Sequence, residues 1–289
     1  MIDFVPFMEA VNFKDIVPEK IEEYWQSDQW GLEPTEKGRR YQFRTDDFSF
    51  SSRSQEPLNT QKIQHIFDEL QTLPTGCLFD GILTSGNYNE TIQILEFPLQ
   101  KCLEVQERKP LYFVLTDILF CNDEDICTLP LFDRRNILTS MIREFKYSRA
   151  SNIYSDKKQE MYDSLKIVYD SFYFKDLESQ YSFNKSRRWR LYKEPQIFFA
   201  VVTDVIVDTG KFENMAGTLQ ISNYINGKLK KITNIGGMST DDRITFFNDK
   251  EKIIGKVVEF KAQQKTNSTY SEARFVGIRE DIDPQSCIF

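Results

Sequence analysis

One histidine, His65, is the only imidazole in 289 residues, so a histidine dyad, a zinc–histidine centre or a Ser-His-Asp relay has nothing to work with. It sits in the helix-like stretch NTQKIQHIFDEL, where a structural role is the ordinary reading. The five cysteines, Cys77, Cys102, Cys121, Cys127 and Cys287, are widely spaced and form no C-x-x-C pair, so reduced thiols are expected and neither zinc nor redox work is indicated. Cations remain. The string NKSRRWRLYK packs Lys185, Arg187, Arg188, Arg190 and Lys193 around Trp189 and Tyr192, a mixture that supplies phosphate contacts and stacking faces for nucleic acid. The same string suits a charged edge strand guarded against aggregation. Lys228, Lys230 and Lys231 in GKLKKITN carry the same ambiguity, between a DNA-facing hairpin and a solvated loop.

These cations stand on an acidic body. The net charge is −7 with a pI near 5.1, which argues against wholesale coating of nucleic acid and leaves room for a local basic track. Hydrophobic residues at 40% and charged residues at 28% suit a soluble chain with a real core. There is no apolar run of bilayer length, and the opening MIDFVPFMEAVNFKD has early carboxylates in place of a basic leader. A cytoplasmic protein with no membrane association is the expectation.

The elements that must position these residues fall into two groups. PEKIEEYWQS carries helix signals, and RRYQFRTDDFSFSSRS alternates large apolar with polar residues as strands do. NTQKIQHIFDELQTL predicts a helix capped by Asn59 or Thr60. KPLYFVLTDILF reads as a central strand buried on both faces, DRRNILTSMIREF and DKKQEMYDSLKIVYDS as helices, and SFYFKD and RRWRLYK as strands. From PQIFFAVVTDVIVD onward the pattern is short β-runs, with Asn226-Gly227 a hairpin signal between two of them. The expected boundary lies near Glu194 and Pro195. Residues 195–289 then predict a small barrel, with a five-stranded OB-fold the leading candidate and basic and acidic residues nearly cancelling.

Several strings, taken in order, resemble the ATP-dependent DNA ligases of the minimal, phage and viral type over nearly the whole chain. The family's K-x-D-G-x-R is similar to TEKGRR at Thr35 to Arg40, and its serine–arginine pair to Ser52 and Arg53. L-D-G-E-L resembles LFDGIL with Asp80 and Gly81, and v-F-D-i-L resembles VLTDIL with Asp117. L-x-x-R-R-x-x-L looks like the run through Arg134 and Arg135. E-G-x-v-x-K-D looks like DSFYFKD with Lys175 and Asp176, and W-x-K-x-K like WRLYK with Trp189 and Lys193. The family ending P-x-F-x-x-x-R-x-D-K resembles ARFVGIRED with Phe275, Arg279 and Asp281. The resemblance implies an α+β nucleotidyltransferase domain of the ligase adenylation type over residues 1–194, followed by an all-β OB-fold domain.

The resemblance also marks what is missing. In the family the first lysine takes AMP from ATP; here that position holds Thr35, and the aspartate position holds Lys37. A threonine hydroxyl without a neighbouring base is a poor nucleophile, and its AMP ester would be a poor donor. Lys37 is the one relocated candidate, since residues i and i+2 of a strand share a face. Ile82 replaces the glutamate of L-D-G-E-L, Thr116 the aromatic expected to sandwich adenine, Leu191 the first lysine of W-x-K-x-K, and Ile282 the closing lysine. Asp170 and Ser171 stand where a carboxylate and glycine serve metal and nucleotide.

A catalytically degenerate member is therefore expected, with no catalytic residue and no metal ligand. Arg40, Arg53, Asp117, Lys175 and Lys193 are implied as a remnant of the nucleotide site. Arg53, Lys185, Arg187, Arg188, Arg190, Lys228, Lys230, Lys231 and Arg279 are the candidates for DNA. No cofactor is expected; ATP and Mg2+ enter only where ligase-type binding has survived. The expected partner is nicked or broken duplex DNA, with a protein partner bound by a pseudo-ligase scaffold, or a divergent active ligase, as the alternatives.

Overall fold

A computed structural model describes residues 2–12, 21–142, 145–207, 210, 213–262 and 264–289. The chain forms two compact units, Met1–Tyr192 and Lys193–Phe289. In the first unit the order is β1 (Glu9–Asn12), α1 (Ile21–Gln26), β2 (Trp30–Pro34), β3 (Gly38–Arg44), β4 (Ser49–Ser52), α2 (Gln64–Leu70), β5 (Leu78–Thr84), α3 (Tyr88–Glu96) and α4 (Leu99–Gln106). It continues through β6 (Tyr112–Cys121), β7 (Glu124–Asp125), α5 (Leu131–Met141), β8 (Ser148–Ala150), α6 (Lys158–Leu165), β9 (Phe172–Asp176) and β10 (Lys185–Tyr192).

Two sheets result. One runs β4-β3-β5-β6-β7, with β8 beside β6; the other runs β1-β10-β9-β2. β6 is the apolar central strand its composition requires, with Phe113, Val114, Leu115, Ile118 and Leu119 fully buried. Gly81 on β5 lets that packing close: a Cβ there would lie 2.7 Å from the Phe113 ring. The helix expected around His65 begins as a 3-10 turn, Thr60–Ile63, whose cap is Asn59, accepting from the Gln61 N–H at 3.1 Å. Of the expected helix at PEKIEEYWQS, residues 18–20 lie outside the described residues and the remainder is α1.

The alternation in RRYQFR has two consequences. Tyr41 and Phe43 enter the core, stacking with Phe50 and Phe79. On the other face Arg40, Gln42 and Arg44 hold the extended residues 2–8, running antiparallel to β3. Arg44 Nη1 donates to the Ile2 carbonyl (2.5 Å), Gln42 bonds Val5 through both its carbonyl and its amide (3.0 and 2.8 Å), and Arg40 Nη1 donates to the Met8 carbonyl (2.6 Å). One strand thus anchors the core and straps the N-terminal segment.

In the second unit β11 (Gln196–Val207), β12 (Ala216–Ile225) and β13 (Lys228–Ile235) are followed by α7 (Thr240–Asn248), β14 (Val257–Ala262), the short pair β15 (Gln264–Lys265) and β16 (Tyr270–Ser271), and β17 (Arg274–Arg279). The sheet order is β13-β12-β11-β14-β17, and a parallel bridge between Gly236 and Arg274 joins its outer ends. That is a five-stranded OB-type barrel. Asn226 and Gly227 both have positive φ, 52° and 73°, the backbone a two-residue type I′ hairpin demands. Sequence reading missed α7. Its cap is Ser239, which accepts from the Asp242 N–H at 3.1 Å, and its Arg243 donates to the carbonyls of Ala216 and Gly217.

Candidate functional site

Thr35 follows directly on β2, and its hydroxyl is held by Ser171. Its hydroxyl lies 2.9 Å from the Ser171 carbonyl and 2.6 Å from the Ser171 hydroxyl, and its N–H donates to the same carbonyl at 3.0 Å. Lys37, two residues on, pairs with Asp170 at 2.7 Å in a largely exposed ion pair. Such pairs contribute about 0–1 kcal/mol, but this one, with the Thr35 bonds, ties the β2–β3 loop to the start of β9.

Beside this loop is a cavity of about 60 Å³ whose walls include Glu33, Arg40, Ile82, Thr116, Lys175 and Trp189. The structure brings Arg40 and Lys175 together here, and both are already committed. Lys175 is buried, pairs with Glu33 at 2.5 Å and lies 3.8 Å from the centroid of the Trp189 ring. Burial pushes its pKa down, and Glu33 offsets this only in part. Arg40 grips Asp80 through Nε (2.8 Å) and Nη2, while the Tyr181 hydroxyl donates to the same carboxylate at 3.1 Å. Burial opposes the Arg40 charge, but Asp80 outweighs it and the pKa is raised.

The cavity lined by Glu33, Thr116 and Lys175 is small for an adenine nucleotide. Small-molecule sites span about 300–1,000 Å³, well above this cavity, whereas the pocket that Thr35 and Lys37 themselves line, with Thr84, Tyr112, Lys146 and Arg149, is about 320 Å³. The cations that would meet phosphates are neutralised by carboxylates of the chain itself. Thr116, at the position expected to stack on a base, is a small side chain whose hydroxyl donates to the Asp80 carbonyl (3.2 Å).

Asp117 sits apart from the cavity. It is fully buried and both its oxygens accept from Arg134, at 2.9 and 2.8 Å. Arg134 adds a bond to the Leu129 carbonyl at 2.6 Å, so this pair welds α5 to β6. Arg135 extends the weld to the carbonyls of Leu115 and Thr116.

Arg53 is likewise absent from the cavity. It lies with Lys185 on a second, larger cleft of about 550 Å³ formed by residues 4–9, β4 and the segment leading into β10. Arg53 is mostly exposed and pairs with Glu9 at 2.7 Å. Beyond Lys185 the pairing of β10 with β1 jumps from Ser186 to Arg190, a bulge that leaves the consecutive Arg187 and Arg188 both exposed. Arg188 pairs with the buried Asp176 at 2.7 Å. Arg190 and Lys193 are half-buried. In the second unit Lys228, Lys230 and Lys231 are exposed on β13. Arg279 is engaged by Glu259 (2.7 Å) and Asp281 (2.6 Å), and this holds the Asp281 carboxyl down at about 2. Among the described residues no group of three His, Cys, Asp or Glu side chains gathers at metal-binding distance, and no helix is long and apolar enough to cross a membrane.

Sequence reading missed Glu33, which neutralises Lys175, and the aromatic walls of the larger cleft. The F-x-x-F of Phe4 and Phe7 was the available signal.

Residues 8–193 match the family described as the ATP dependent DNA ligase domain. No curated protein sequence matches the chain. Among solved structures, the ligase domain of M. tuberculosis LigD is 16% identical with a TM-score of 0.55, over 99% of this chain and 98% of that one. A Lig E DNA ligase is 16% identical with a TM-score of 0.53, over 96% of this chain and all of the other. The ATP-dependent DNA ligase of bacteriophage T7, in complex with ATP, is 16% identical with a TM-score of 0.50, over 95% and 98%. At such identities the structural likeness speaks for the fold, while the family match covers well over half of the sequence. The chain belongs to the ATP-dependent DNA ligase domain family.

Proposed function

We propose that this protein is a ligase-fold DNA-binding protein that does not adenylate itself and that engages nicked or broken DNA without sealing it. The observation that carries this reading is the state of the residues around Thr35. Thr35 stands at the nucleophile position, and the cations of the adjoining cavity, Arg40 and Lys175, are held by Asp80 and Glu33. Catalytic constellations lose on the order of 10⁶ in rate when one essential member is removed, and here the nucleophile and the phosphate-facing charges are lost together. The DNA half of the reading is supported by family membership, by the likeness to a Lig E DNA ligase, which binds DNA with a minimal scaffold, and by the exposed Arg53, Lys185, Arg187 and Arg188.

A gel-shift series with nicked, intact and blunt-ended duplex across salt concentrations tests it. Intact duplex should bind no tighter than the usual non-specific range of about 10⁻⁴ to 10⁻⁶ M, with nicked or broken forms at least tenfold tighter. Arg187→Ala with Arg188→Ala should flatten the salt slope by about one to two units. Equal, feeble binding of every form, together with one stoichiometric protein recovered with the chain from its native cell, would replace this reading with a scaffold for a protein partner.

A further inference from the structure

The larger cleft has features that duplex binding does not call for. It is concave and, at about 550 Å³, falls within the size range of small-ligand sites, enough for a single splayed nucleotide. Its roof is the strapped segment, in which Arg44 lies 4.5 Å from the Phe4 ring centroid and Arg40 4.8 Å from that of Phe7. Each of these two rings is therefore fixed by a guanidinium. Phe183, on the same lining, leaves 41% of its surface exposed, a large aromatic beside Asn184 and Lys185. The charged residues of the lining are Arg53, Lys185 and a single acid, Glu9, on a protein whose net charge is −7. From Lys185 the exposed Arg187 and Arg188 continue outward along β10.

Aromatic faces lining a cleft with cations beside them form the pattern of single-strand recognition, in which bases stack and phosphates meet a basic track. We infer that the cleft takes one unpaired nucleotide of a single-stranded DNA end, with Phe183 as the stacking face and Lys185 and Arg187 along the flanking phosphates. Overhanging or frayed ends, in which the nucleotide is already unpaired, are then the preferred substrate class. The inference rests on the DNA-binding reading above and narrows its target.

The test is a titration of the full chain against one fluorescently labelled duplex in three forms: blunt, nicked, and carrying a short 3′ or 5′ single-stranded overhang. The overhang should bind at least about fivefold tighter than the blunt form, the lower end of what one stacked base contributes. Phe183→Ala, a change at an exposed ring, should abolish that preference while leaving blunt-duplex affinity within about twofold. Ser54→Ala, close by but outside the cleft lining, should change neither. Equal affinity of wild type for blunt and overhanging DNA, or a preference that survives Phe183→Ala, would overturn the inference and leave the DNA reading standing. Loss of binding to all three forms by wild type would remove both.

Discussion

The cavity beside Thr35 and the cleft under the N-terminal segment share one strand, β3, and differ in where their charges are spent. In the cavity each cation meets a carboxylate of the chain: Arg40 meets Asp80 and Lys175 meets Glu33, both carboxylates buried. Near the cleft Arg53 pairs with Glu9 and Arg188 with Asp176, while Lys185 and Arg187 have no ion pair among the described residues. A site whose electrostatics are closed internally has no remaining use for an anionic ligand, whereas a site with cations in surplus does. On the proposed reading, this difference puts DNA binding at the cleft and leaves the cavity a structural role.

The sharpest way to break this contrast is to open the cavity's charge balance. Lys175→Met leaves Glu33 buried without its partner and should cost about 3–5 kcal/mol in denaturant unfolding. Lys175→Met combined with Glu33→Leu removes both charges and should recover most of that loss. If the double variant is as unstable as the single one, the pair is not the closed unit described here.

A smaller effect is expected at the strap that roofs the cleft. Gln42→Leu removes both bonds to Val5 and should cost about 1–3 kcal/mol, because the Val5 N–H and carbonyl lose their partners. Limited proteolysis should then cut within residues 2–9 faster than in wild type, and unchanged cleavage would show that Arg40 and Arg44 hold the segment without Gln42.

The smallest effect concerns pH. The hydrogen bonds from Arg44 lead the causes that hold the Asp47 carboxyl down at about 2, below its ordinary value near 4. A depressed carboxylate stabilises the fold fully above its unfolded pKa and ceases to do so as pH falls from about 4 toward 2. Wild type and Asp47→Asn should therefore differ modestly in Tm at pH 7 and converge near pH 2; a constant difference across that range would assign the effect to packing.

Much of the fold was legible because its signals are local. The alternation in RRYQFR marks β3, the apolar run marks β6, and Asn226-Gly227 marks the turn between β12 and β13. α7 escaped because STDDRITFF carries only one capping serine and a mixed face, with its anchor Arg243 reaching back to Ala216 and Gly217 on β12. At the site, Thr35 was legible from register alone. Which carboxylate meets which cation was not, because Glu33 and Lys175 lie on different strands, β2 and β9, and Arg40 and Asp80 on β3 and β5. Residue types announce that charges must be compensated, but only the register of the folded strands decides the partners. The same limit hid the larger cleft, whose wall joins residues near the N-terminus to the segment before β10.

The central claim is that this ligase-fold chain has lost self-adenylation, and covalent labelling tests it most directly. Purified protein incubated with α-labelled ATP and magnesium or manganese, then denatured and resolved on a gel, should carry no label. Thr35→Lys should stay unlabelled too, because Arg40 and Lys175 remain closed on Asp80 and Glu33. A stoichiometric adduct on wild type that maps to Lys37, or adenylation restored by Thr35→Lys alone, would contradict the account and return the chain to the active ligases.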